Sequence, residues 1–220
     1  MLNSSEQFLS LHYVAVPAQP WNALERNWLG RLAPARRARL AALRSPSDRN
    51  ASLLGLALLG RGCERLGFPY VPRDLDSVPR KKPAIPGGPS FSISHAGGLV
   101  ACVCTVEGAV GLDLEPHGAA TAAGLRLALG AAERGRIDTG ELDPTTAWVM
   151  AEAVLKAAGV GIDAAPRVRF GTGRASLDGV EFGLTRAPLG ADHVAYLAHA
   201  AGGMRLEVVR HETAAFAPLP

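Results

Sequence analysis

The run Val110-Gly111-Leu112-Asp113-Leu114-Glu115 sets two carboxylates one pleat apart. On a strand, Asp113 and Glu115 share one face, and Val110, Leu112 and Leu114 share the other. Carboxylates this close repel, so their face is either solvated or neutralised by a cation. Oxygen-only ligands on a short strand suit Mg²⁺, which keeps several waters and shares substrate phosphates. An ordinary strand with a polar outer face is the alternative. The second feature is Trp148 to Lys156, where Glu152 and Lys156 lie four apart on one helical face. They form either a surface ion pair, or a third acidic ligand or base with an ammonium beside a phosphate. The third is Phe91-Ser92-Ile93-Ser94-His95, followed by Ala96-Gly97-Gly98. A histidine ending an apolar strand before a Gly-rich turn can reach a phosphate oxygen, or be satisfied by the backbone. Ser94, His95 and Asp113 do not read as a hydrolase triad, since no G-x-S-x-G elbow is present and strand neighbours point apart.

The elements that must position these groups alternate in type. A strand is expected over Leu11 to Val16. A helix begins at Pro34 and stops at Pro46; its Arg36 and Arg39, at i,i+3 spacing, share a face. Ser47 or Asp48 caps a second helix, expected from about Ser52 to Leu66 and apolar almost all round, hence buried. Pro69 to Pro89 is proline-rich and irregular. FSIS, LVACVCTV and VGLDLE then read as short strands between glycine turns. A helical stretch is expected over Ala119 to Arg136. Asp143-Pro144 opens another helix that stops at Gly159. VRF, VEFGLTR, HVAYLAHA and RLEVVR return to strand. Two halves emerge, 1–108 and 109–220, each mixing helix and strand.

Composition narrows the class. With 220 residues, 48% hydrophobic and 20% charged, the chain can bury a core without disulfides. The net charge of +3 is thin for a protein living on nucleic acid, despite a pI near 9.0. The arginine helix from Arg31 to Arg44 has no interleaved stacking aromatics, so no nucleic-acid partner is expected. Three cysteines cannot all pair; Cys102 and Cys104, two apart in an apolar stretch, read as reduced core thiols. No basic n-region opens the sequence, and prolines and glycines break the uncharged run from Ala84 to Val106. No membrane partner, a cytoplasmic location and a monomer are the expectations.

In their order and spacing, FSISHAGGLVACV, VGLDLE and WVMAEAVLKA resemble the signature of Sfp-type 4′-phosphopantetheinyl transferases. That pattern runs (F/W)-(N/S)-(I/L)-S-H, then (V/I)-G-(I/V)-D-(I/L)-E, then W-x-x-K-E-A-x-x-K. Upstream, Lys82-Pro83 matches a G-K-P element, Ser52-Leu53-Leu54-Gly55 an (S/T)-L-x-G helix start, and Arg36 with Arg39 a basic pair. The resemblance spans roughly Pro34 to Gly161.

It implies an α+β fold: a pseudo-twofold tandem of two similar α+β halves with the active site in the cleft between them. It implies Mg²⁺-dependent transfer of the 4′-phosphopantetheine arm of coenzyme A to a serine of an apo acyl or peptidyl carrier protein. Adenosine 3′,5′-bisphosphate is the product released. By residue match, Asp113, Glu115 and Glu152 hold Mg²⁺, Glu152 serves as base, and His95 and Lys156 steady phosphate charge. Arg36, Arg39, Ser52 and Lys82 form the 3′-phosphate site, with Ser94 lining the cleft. The chain departs from the pattern at Ala151, where the family has lysine, at Lys81 in place of glycine, and at Ala51, which has Arg49 nearby as a substitute. The aliphatic stretch Arg126 to Gly130 stands where paired aromatics usually meet the carrier. A catalytically impaired relative that binds coenzyme A or a carrier protein is therefore the alternative.

Overall fold

The structure is a computed structural model and describes residues 7–75, 82–125 and 128–216. Lys81, Arg126 and Leu127 lie outside the described residues. In chain order the elements are β1 (Gln7–Ala15), α1 (Asn22–Leu29), α2 (Pro34–Ala41), α3 (Pro46–Arg65), β2 (Ser90–Ala96), β3 (Leu99–Thr105) and β4 (Val110–Pro116). Then follow α4 (Ala131–Asp138), α5 (Pro144–Ala158), β5 (Arg169–Gly171), β6 (Arg174–Leu177), β7 (Val180–Arg186), β8 (His193–Ala200) and β9 (Met204–His211). The fold is mixed α and β with two sheets, ordered β2-β3-β1-β9 and β4-β8-β7-β6-β5.

The two long helices start for local reasons. Ser45 Oγ accepts the Asp48 N–H at 3.3 Å and Pro46 fills the first turn, so α3 begins at Pro46. The expected start near Ser52 was too late because Pro46 was read only as a stop. Asp143 Oδ1 accepts the Thr146 N–H at 2.8 Å, Pro144 follows, and Gly159 ends α5 in the left-handed conformation. The helix expected over Ala119 to Arg136 is absent as such; among the described residues, α4 spans Ala131–Asp138, and Gly130 precedes it.

Three apolar clusters hold the layers together. Leu53, Leu54 and Leu58 of α3 pack with Val100, Cys102 and Cys104 on one face of the first sheet. Leu9, Leu11, Ala101 and Val103 on its other face meet Val110, Leu112, Leu114, Ala195 and Leu197 of the second sheet. α5 covers the second sheet through Ala151, Val154 and Leu155. Fully burying a leucine contributes about 1.5–3 kcal/mol, so these clusters dominate the stabilisation. Cys63, Cys102 and Cys104 are free, buried thiols, and burial pushes Cys63 up to about 12.

The two sheets do not divide at residues 108 and 109. β9 returns to the first sheet and pairs in parallel with β1, Gln7 opposite Met204 and Val14 opposite His211. Among the described residues no helix is long and apolar enough to cross a membrane.

Candidate active site

β4 places the acidic residues. Val110, Leu112 and Leu114 are fully buried between the sheets, as strict alternation requires. The opposite face is not a polar surface: Gly111 and Asp113 are buried there as well. Gly111 explains the approach of α5. A Cβ at this position would stand 2.0 Å from the Ala153 carbonyl oxygen and 2.5 Å from the Ala157 nitrogen. Only glycine lets the helix backbone lie directly on the strand.

That contact delivers Lys156 to Asp113. Lys156 Nζ donates to Asp113 Oδ1 at 2.6 Å and to Ser94 Oγ at 3.2 Å, while Ser94 Oγ donates to the same Oδ1 at 2.7 Å. Lys156 Nζ also lies 3.7 Å from Glu152 Oε2, the expected i,i+4 pair. Asp113 Oδ2 is buried and has no hydrogen-bond partner among the described residues. Burial raises the Glu152 pKa, Lys156 opposes this, and Asp113 adds to the rise. Burial followed by Asp113 likewise raises Glu115. Three carboxylates therefore share one electrostatic environment, with the Lys156 ammonium hydrogen-bonded to Asp113 and 3.7 Å from Glu152. Among the described residues, no three His, Cys, Asp or Glu side chains converge as a metal site.

A cavity of about 520 Å³ opens beside this group, within the range that holds a sizeable ligand. Its cationic and polar lining comprises Arg36, Arg39, Ser52, Lys82, Ser92, His95 and Lys156. Arg36, Arg39, Ser52 and His95 also line an adjoining cavity of about 410 Å³, together with Asp48. Neither arginine has an ion-pair partner among the described residues, and burial lowers the Arg36 pKa. Burial lowers His95 too, against an upward pull from Asp48. Lys156 is the link between the basic cavity and the acidic group.

The structure thus brings Ser94, Asp113, Glu152 and Lys156 together, with Glu115 coupled to them. It gathers Arg36, Arg39, Ser52, Lys82 and His95 around the neighbouring space. Lys82 lines the cavity as well, and its Nζ also donates to the Val110 carbonyl at 2.6 Å, with burial holding its pKa down at about 8. Ala151 is fully buried in the second core and lines none of this cavity. The alanine at this position therefore takes no charge from the observed cavity wall. Two polar lining residues carried no site role in the sequence, and Ser92→Ala was expected to leave activity intact. Asp48 appeared only as a helix cap. Ser92 lies two before Ser94 on the same strand face, and that spacing was the available signal. No protein-family model matches the chain, and no curated protein is significantly similar to it.

Proposed function

We propose that the chain is a Mg²⁺-dependent 4′-phosphopantetheinyl transferase acting on coenzyme A and an apo carrier protein. The observation that carries this reading is Lys156 bridging a three-carboxylate group and a cavity lined by unpaired arginines. A polyanionic ligand belongs on the basic side, and phosphoryl transfer relies on positioning and charge neutralisation. The tandem relation of the halves is part of the same proposal. Each sheet is mainly antiparallel and backed by one long helix, α3 or α5, which supports it.

The donor chemistry suits a hard divalent cation, with oxygen ligands only, one of them a buried carboxylate oxygen without a partner among the described residues, although the three carboxylates do not converge on one point as they stand. Asp113, Glu115 and Glu152 would hold Mg²⁺, which supplies neutralisation of the pyrophosphate charge when bound. The remaining work falls to this chain's own side chains. Arg36, Arg39, Ser52 and His95 bind the nucleotide phosphate. Lys156 turns from Asp113 toward the reacting phosphate. Glu152, its basicity raised by burial, accepts the proton of the attacking serine hydroxyl. The serine oxygen bonds to the phosphorus on the pantetheine side, the phosphoanhydride bond breaks, and adenosine 3′,5′-bisphosphate leaves.

The test is a mass measurement on several apo carrier proteins incubated with the protein, coenzyme A and Mg²⁺. Gain of the phosphopantetheine mass is expected, and it should vanish in Asp113→Ala. Retained coenzyme A binding with no increment on any carrier would favour the non-catalytic relative instead.

A further inference from the structure

Among the described residues, β4 has a partner strand on one side only. Its ladder runs to β8, and its other edge faces β2 without backbone pairing. An open strand edge needs partners for its amides and carbonyls. Here side chains from the first half supply them. Ser92 Oγ accepts the Leu112 N–H at 3.0 Å, and Lys82 Nζ donates to the Val110 carbonyl at 2.6 Å. Two residues past Ser92, on the same face, Ser94 reaches the Asp113 carboxylate. Farther along the seam, a Cβ on Gly97 would stand 2.6 Å from Pro116 Cγ, so that turn also abuts β4. The seam therefore runs in one direction along both strands, 92 beside 112, 94 beside 113 and 97 beside 116.

We propose that Ser92 and Lys82 are positioning residues, pegging the open edge of β4 and so setting where Asp113 stands relative to the cavity. Both pegs line the cavity themselves, so the ligand-binding wall and the acidic strand are one construction. The peg at Leu112 immediately precedes Asp113, whose carboxylate already meets Ser94 and Lys156. A slip of β4 by a fraction of an ångström is therefore passed to the acidic group while the arginine wall stays in place. The catalytic consequence rests on the function proposed above; the peg itself does not.

The test compares the full chain with Ser92→Ala and with Ser92→Thr, which keeps the hydroxyl. Amide exchange at Leu112 and Asp113 is measured alongside kcat and KM for coenzyme A. In Ser92→Ala, exchange at both amides is expected to accelerate at least tenfold and kcat to fall at least tenfold. KM is expected to stay within twofold, and threonine to restore all three. A raised KM with unchanged kcat would make Ser92 a ligand contact and overturn the proposal. So would faster exchange confined to Leu112 with kcat unchanged. Should the unaltered chain transfer nothing to any carrier, the function reading fails by itself. Exchange at Asp113 then decides the peg: acceleration supports it, and none refutes it. If Ser92→Ala does not fold, Ser92→Cys, with its weaker hydrogen-bonding group, carries the same comparison.

Discussion

Removing the Lys156 ammonium tests the centre of the site. The pair is short, 2.6 Å, with the Asp113 side chain 5% exposed and Lys156 29% exposed. Exposed ion pairs contribute 0.2–1 kcal/mol, whereas breaking a buried one costs about 3–5 kcal/mol because a charge is stranded. Partial hydration of Lys156 puts Lys156→Met at the low end, about 3 kcal/mol. Among the described residues, Ser94 would then be the sole hydrogen-bond donor to the Asp113 carboxylate. For a chain of this size, that corresponds to a fall in Tm of roughly 6–12 °C. The assay is a urea-unfolding cycle of the unaltered protein, Lys156→Met, Asp113→Asn and the double variant. A coupling of about 2 kcal/mol or more is expected, with the double variant more stable than Lys156→Met alone. Added Mg²⁺ should raise the Lys156→Met midpoint more than that of the unaltered protein, since the cation then meets no competing ammonium. A coupling below about 0.5 kcal/mol, the level of a surface pair, would refute the placement of Lys156 over Asp113.

Two further outcomes follow from burial. His12 hydrogen-bonds Ser10 Oγ and His211 Nε2, each at 2.9 Å, and burial, then His211, lowers its pKa to about 4. This depressed pKa stabilises the fold above pH 6.5, and about 3 kcal/mol is lost as pH falls from 6.5 toward 4. Thermal melts across that window should show the decline, and His12→Asn should flatten it. Gly111→Ala should destabilise by about 3 kcal/mol or more, because the methyl meets helix backbone and not a yielding side chain. Chemical denaturation measures this, and a loss under 0.5 kcal/mol would contradict the strand–helix contact.

Local pattern was legible where one element's own sequence decides its structure. The alternation from Val110 to Glu115 and the Asp143-Pro144 start of α5 are both where the residues put them. Of the two readings left open for β4, the ordinary strand with a polar outer face does not hold, because α5 covers Gly111 and Asp113. Alanine and leucine propensity suggested a helix through Ala119 to Arg136, but Gly124 and Gly130 interrupt the stretch. β6 was missed although Asp178-Gly179 marks its hairpin to β7, with Asp178 at φ 52°. α1 went unread, since its first turn has no side-chain cap. The contacts that make the site join residues 19 and 43 positions apart, Ser94 to Asp113 and Asp113 to Lys156. Such contacts exist only after the sheets meet, so spacing alone could nominate these residues but not show Lys82 turned to the backbone.

The parallel pairing of β1 with β9 also governs when the molecule can be finished. Domains fold during synthesis from the N-terminal side as chain emerges. Here an early strand waits for a segment made nearly two hundred residues later, a contact of high sequence separation that slows folding. Until Met204–His211 leaves the ribosome, β1 carries an unpaired edge of the kind that recruits foreign strands. Cutting the chain at its apparent midpoint would leave the first piece with that same exposure. A synthetic peptide of the β9 sequence would be the natural complement to such a fragment.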